Sequence, residues 1–118
     1  PYYAKYWKNG VPTMLSSKIS EAYSIFVIGN DVYVAGEVEG NATYWKNGVP
    51  TILSSNSEGY SSYSSFALSI FVLGEDVYVA GTEYNSYSGS SAKFWKNGNE
   101  VVLPTEYSSF RSIFITNK

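Results

Sequence analysis

The chain has 118 residues, 44% of them hydrophobic and 18% aromatic, with eight basic and ten acidic side chains and a net charge of −2. The charges are interspersed, so no basic face is offered to a nucleic acid, and no stretch approaches the ~20 apolar residues of a membrane span. The absence of cysteine and histidine removes disulfides, thiolate metal sites and the commonest general base at neutral pH.

In chain order, Tyr3 to Trp7 is aromatic and strand-like, and Val11 to Leu15 is its returning partner. Between them Asn9-Gly10 is a type I′ hairpin signal, because both central residues of that turn need positive φ. Ser16 to Tyr23 is a polar link. Ile25 to Ile28 is a short continuous apolar run, expected to be a strand buried on both faces. Gly29-Asn30-Asp31 turns the chain into a second apolar strand, Val32 to Ala35. Glu37 to Asn41 is a polar hairpin loop. Ala42 to Lys46 and Val49 to Leu53 follow, joined by Asn47-Gly48. The same plan returns with Ile70 to Leu73, Val77 to Ala80, Ala92 to Lys96 and Glu100 to Leu103, and Gly98 closes the last turn. No helical periodicity of useful length is present.

The phrases behind this plan recur almost letter for letter. Tyr6-Trp7-Lys8-Asn9-Gly10 matches 44–48 and 94–98. Asp31-Val32-Tyr33-Val34-Ala35-Gly36 matches 76–81. Ser24-Ile25-Phe26-Val27 matches 69–72 and, with a final Ile, 112–115. Self-similarity at about 45 residues, four strands per unit, is the signature of a β-propeller blade. The units are a half blade at 1–17 carrying strands three and four, blades at 24–55 and 69–103, and the first strand of a further blade at 112–118. A single β-sandwich or irregular barrel is the alternative fold, though it has no need of repeated strands.

The pattern Ser-Ile-Phe-Val-x-Gly-x-Asp-Val-Tyr-Val-Ala-Gly followed by Tyr-Trp-Lys-Asn-Gly resembles tandem repeats of bacterial proteins that look like β-propellers. More distantly it is similar to lectin and kelch-type propellers. The resemblance implies an all-β partial propeller of four-stranded antiparallel blades, with the Ile25-type strand innermost, and it brings no catalytic residue. Eleven strands are too few to close a ring. The expected partners are therefore copies of the chain or other propeller segments joined through open strand edges, as in a homo-oligomer, a ring or a longer propeller of which this is a fragment.

Function is expected in the connections that change between units. The turns after strands one and three keep their length. The span from Gly36 to Trp45 is nine positions, but fourteen from Gly81 to Trp95. Leu15 to Phe26 spans eleven positions, but Leu53 to Phe71 spans eighteen. In a meander both variable connections emerge at one end, where insertions often mark a binding face. Ser54 to Ser65 and Glu83 to Ser91 are rich in Tyr, Ser, Gly and Asn, a paratope-like mixture. Tyr60, Tyr63, Tyr84 and Tyr87 are the candidate contacts for a glycan or protein ligand. The plainer reading makes these solvated low-complexity loops.

Trp7, Trp45 and Trp95 invite a sugar-stacking role, but their equivalent positions fit better as packing between blades. Asp31 and Asp76 are expected to close turns by accepting backbone hydrogen bonds, and Lys8, Lys46 and Lys96 to stay solvated. Glu37 and Glu39 are the nearest thing to a catalytic carboxylate pair, and they share one short loop. The sequence implies no enzyme, no cofactor, no metal and no nucleic-acid partner. The competing class is a purely structural self-assembly module. No signal peptide is legible, and the compartment stays open, the cell surface or secretion included.

Overall fold

A computed structural model describes residues 2–101. The chain is all-β and antiparallel: no helix occurs among the described residues, and hence none long and apolar enough to cross a membrane. Strands β1 (Lys5–Lys8) and β2 (Val11–Met14) form a hairpin. Strands β3 (Ser20–Ile28), β4 (Asp31–Val38), β5 (Asn41–Lys46) and β6 (Val49–Ile52) form the first four-stranded meander. Strands β7 (Tyr63–Leu73), β8 (Asp76–Asn85), β9 (Gly89–Lys96) and β10 (Asn99–Val101) form the second. The expected strand at 112–118 and the residues Val102 and Leu103 lie outside the described part.

Turn chemistry fixes the meanders as anticipated. Asn9-Gly10, Asn47-Gly48 and Asn97-Gly98 all have positive φ at both residues, the type I′ geometry that matches strand twist. Each of the two four-stranded sheets carries the same β-bulge in its first strand, between Ala22 and Ser24 and between Ala67 and Ser69. Gly36 and Gly81 sit opposite these bulges. A Cβ there would lie 1.9 Å from the Glu21 carbonyl oxygen and 1.8 Å from that of Phe66, so only glycine lets the strands meet.

A second clasp ties strand two to the turn after strand three. The Val32 N–H donates to Asn47 Oδ1 at 2.9 Å, and Asn47 Nδ2 donates to Asp31 Oδ1 at 2.9 Å. Val77, Asn97 and Asp76 repeat it at 2.8 and 2.9 Å. A carboxylate only accepts and an N–H only donates, so each amide has one satisfactory orientation. The asparagine therefore takes the backbone hydrogen bond expected of Asp31 and Asp76, and the aspartate holds the asparagine.

Sheets stack face to face. One face of the first sheet presents Phe26, Tyr33, Ala35 and Ala42. These pack with Ala67, Ile70, Val72, Val77, Val79 and Trp95 of the second sheet. The opposite face presents Val32, Val34 and Trp45, which pack against Ala4, Tyr6 and Leu15 of the hairpin. Both junctions are laced alike. A fully buried serine, Ser20 or Ser65, accepts a hydrogen bond from the N–H of Ala4 or Ala42, at 2.8 and 2.7 Å. The same serines donate their own N–H groups to the carbonyls of Tyr2 and Gly40, each at 2.8 Å.

Burial departs from expectation at the first junction. Trp45 and Trp95 are 0% and 1% exposed, whereas Trp7 is 62% exposed. Ile70 and Val72 are 4% and 3% exposed, whereas their counterparts Ile25 and Val27 are 52% and 58% exposed, although the strand was expected to be buried on both faces. The reason is the neighbour. The packed face of the second sheet meets four strands, whereas the face of the first sheet that carries Ile25 and Val27 meets only β1 and β2.

Candidate functional site: a hydroxyl- and carboxylate-lined cleft

The strands of the second sheet run further than the sequence suggested, and this decides which tyrosines are in loops. Tyr63 pairs with Asn85 and Ser64 with Tyr84, so Tyr63 and Tyr84 belong to strands β7 and β8 rather than to loops. Alternating Ser and Tyr suits a strand with one solvated face. What remains irregular is 53–62 and the short turn 86–88, which hold Tyr60 and Tyr87. These two connections meet at one end of the molecule. The Ser86 N–H donates to the Ser62 carbonyl at 3.0 Å, and Ser61 Oγ donates to Ser86 Oγ at 3.0 Å. Asn56 organises the longer connection. Its side chain accepts from the Tyr60 N–H and donates to the Tyr60 carbonyl, each at 2.9 Å.

Beneath this connection a cleft of about 380 Å³ opens between the two sheets. Tyr60 and Tyr63 line it with Ser54, Glu58, Glu83 and Glu100. The hydroxyls of Ser54 and Tyr63 touch each other, and each reaches Glu83 Oε2, at 3.0 and 2.9 Å. Behind them the Lys93 ammonium lies 2.8 Å from Glu100 and 3.5 Å from Glu83. Burial by itself would depress the Lys93 ammonium, but the two carboxylates outweigh it and hold its pKa above the ordinary lysine value. Burial pushes the Tyr63 hydroxyl upward. Ser54 and Ser65 oppose that shift, Glu83 adds to it, and the net effect is a weaker acid than an ordinary tyrosine. The cleft thus sets the Ser54 and Tyr63 hydroxyls beside the Glu83 and Glu100 side chains, with the Lys93 amine behind them.

The equivalent place at the first junction has different chemistry. Counting from Asp31 and Asp76, Val38 corresponds to Glu83. Counting from Trp45 and Trp95, Thr43 corresponds to Lys93 and Pro50 to Glu100. Val38, Thr43 and Pro50 line a cavity of about 340 Å³ beside Leu15 and Ile52. The ionic set at the second junction thus stands where the first junction has Val, Thr and Pro.

Of the four candidate tyrosines, the structure brings Tyr60 and Tyr63 into the cleft. Tyr84 and Tyr87 are exposed on the same end but do not line it. Ser54, Glu83, Lys93 and Glu100 were missed as a set. The one signal in the repeats was Glu100, which stands where the other two copies have Pro12 and Pro50; Lys93 matches Lys5 of the first copy and so carried none. Glu37 accepts the Gly40 N–H at 2.9 Å, and Glu39 lies 3.7 Å from Lys18 in solvent. The buried indoles of Trp45 and Trp95 have no hydrogen-bond partner for Nε1, so they act by apolar packing and offer no ring face to a ligand. Comparison with protein-family models, curated proteins and solved structures finds no significant match.

Proposed function

We propose that the chain is a non-catalytic recognition module, built as part of a β-propeller-like stack, that binds a glycan or protein ligand at the end carrying Tyr60, Tyr63, Tyr84 and Tyr87. The observation that carries this reading is the cleft at the second junction, where Glu83, Lys93 and Glu100 stand in place of Val38, Thr43 and Pro50 under the longest connection. Paired acceptors beside a tyrosine ring suit a polyhydroxylated ligand, since carboxylates take sugar hydroxyl donors and the ring covers a C–H face. The chemistry of the cleft therefore favours a glycan.

A glycan array, followed by titration calorimetry on any hit, tests the proposal. Tyr60→Ala should lower affinity about tenfold, since it removes an aromatic contact while leaving the Glu83 network in place. Tyr87→Ala, on the same end but outside the cleft, should change affinity less than twofold. Equal losses in the two variants, or none in Tyr60→Ala, would reject the cleft as the site. A second reading, assembly with other chains through open strand edges, is favoured by the exposure of Trp7, Ile25 and Val27.

A further inference from the structure

Four features of the first junction are incomplete in the same sense. Strand β5 pairs with β4 on one edge and β6 on the other, and β9 likewise with β8 and β10; β1 pairs only with β2 among the described residues. Asn9 has the left-handed conformation of Asn47 and Asn97, with φ 53° against 51° and 52°. Its side chain, however, holds no Asp-Val pair among the described residues, whereas both of the others do. The Lys46 and Lys96 ammonium groups each lie 5.7 Å from the ring centre of a tyrosine in the adjacent strand, Tyr33 or Tyr78. Lys8, in the same place before the turn, has no such ring among the described residues. Finally, Ile25 and Val27 lie open where Ile70 and Val72 are covered.

The intact junction shows what is missing. Ile70 and Val72 are covered by the first sheet, whose strands β3 and β4 bring Phe26, Tyr33 and Ala35 to that face, with Phe26 5.2 Å from Phe71. The equivalent space at the first junction is two adjoining cavities. One, of about 360 Å³, lies between Tyr6, Trp7 and the Ala22 to Ile25 segment, and one of about 180 Å³ lies between Trp7, Ile25 and Val27. The first is walled partly by Tyr23, whose hydroxyl is pushed up to about 12 by burial and by the nearby Glu21 and Glu37 carboxylates.

We infer that the open edge of β1, with Asn9, Ile25 and Val27, is a docking site for a β-hairpin of the Ser-Ile-Phe-Val-x-Gly-x-Asp-Val-Tyr-Val-Ala-Gly type carried by a second polypeptide other than a copy of this chain, whose own hairpins of this type are already paired with β5 and β9. The hairpin's second strand pairs with β1 in the register of β4 on β5, which sets its first valine of Val-Tyr-Val beside Asn9 and its tyrosine beside Lys8. Its aspartate accepts from Asn9 Nδ2, and its valine N–H donates to Asn9 Oδ1. Its Phe and Tyr rings close over Ile25 and Val27. Its glycine is obligatory, for the reason seen at Gly36 and Gly81. Strand addition of this kind draws affinity from main-chain hydrogen bonds and specificity from alternate side chains. The inference is independent of the cleft, which lies at the other junction.

The test uses a soluble peptide with the sequence of residues 24–36, titrated into the 15N-labelled chain. Amide shifts confined to Lys5–Asn9 and Ile25–Val27, with loss of acrylamide quenching of Trp7, are expected. Asn9→Ala should weaken binding about three- to tenfold, the worth of one or two hydrogen bonds, and alanine in place of the peptide's aspartate should do the same. The two changes together should cost little more than either. As a covalent version, residues 24–41 placed directly ahead of Ala4 should shield Trp7 and raise the melting temperature. Trp7 remaining fully quenchable in both experiments overturns the inference. So does light scattering that shows the chain alone forming dimers in which Trp7 is shielded, since a second copy would then be the occupant.

Discussion

The two junctions are built from the same phrases yet differ in what they bury and what they expose. At the second, a complete sheet lies on a complete sheet, and the repeated Ile, Val and Trp positions close into one core. At the first, two strands lie on four, and Trp7, Ile25 and Val27 remain in solvent. The difference teaches that a half-buried strand pattern specifies a face, not its fate. Burial free energy is gained only where another surface removes water from that face. The loop end differs too: Val38, Thr43 and Pro50 at the first junction stand where the second has Glu83, Lys93 and Glu100. Such a change at matched positions is hard to ascribe to packing alone, because pairing charges in a cleft seldom stabilises more than an apolar filling does.

The largest test of this contrast is the tryptophan series. Trp45→Ala and Trp95→Ala should each cost about 3–5 kcal/mol in urea denaturation, while Trp7→Ala should stay within about 0.5 kcal/mol. Equal costs at the three positions would break the comparison. Next comes the isoleucine pair. Ile70→Ala should lose about 2–5 kcal/mol, and Ile25→Ala less than about 1 kcal/mol, since little apolar area is lost where the side chain is already wet. The asparagines sharpen the contrast further. Asn47→Ala and Asn9→Ala share the strain of placing alanine at positive φ, so their difference isolates the Asp31–Val32 clasp. Asn47→Ala should exceed Asn9→Ala by about 0.5–1.5 kcal/mol.

The smallest expected effect is on pH dependence. Lys93 and Tyr63 at the second junction and Tyr23 at the first all have folded-state pKa values raised above their ordinary ones. A raised value contributes stability that is complete below the unfolded pKa and is lost as pH rises through the folded one. The melting temperature should therefore fall as pH climbs from about 10 toward 12. Lys93→Met should flatten that fall, and it should leave stability near pH 7 with little pH dependence of its own. A fall that begins near pH 8, or one unchanged in Lys93→Met, would contradict the charge arrangement of the cleft.

Much of the fold was legible because its determinants are local. Asn-Gly dipeptides impose the type I′ turn wherever they occur, Gly36 and Gly81 are the only residues small enough for their bulges, and alternating apolar phrases set strand order and register. Tyr63 and Tyr84 were misplaced into loops because Ser-Tyr alternation reads equally as a flexible connection or a solvated strand. Only the long ribbon formed by β7 and β8 distinguishes the two. The Ser20 and Ser65 laces were equally hidden, since a serine four residues before a repeated phrase carries no sign that a buried N–H from another sheet will need it.

The amino-acid sequence by itself determined the strands, their turns and their antiparallel order, because these follow from backbone sterics and side-chain period over a few residues. Tertiary structure alone decided which copy of Ser-Ile-Phe-Val is dry, which tryptophan is packed, and that Ser54, Tyr63, Glu83 and Glu100 share one cleft with Lys93 paired behind them. Those outcomes depend on what lies across a sheet face, and identical phrases hold no information about their neighbours.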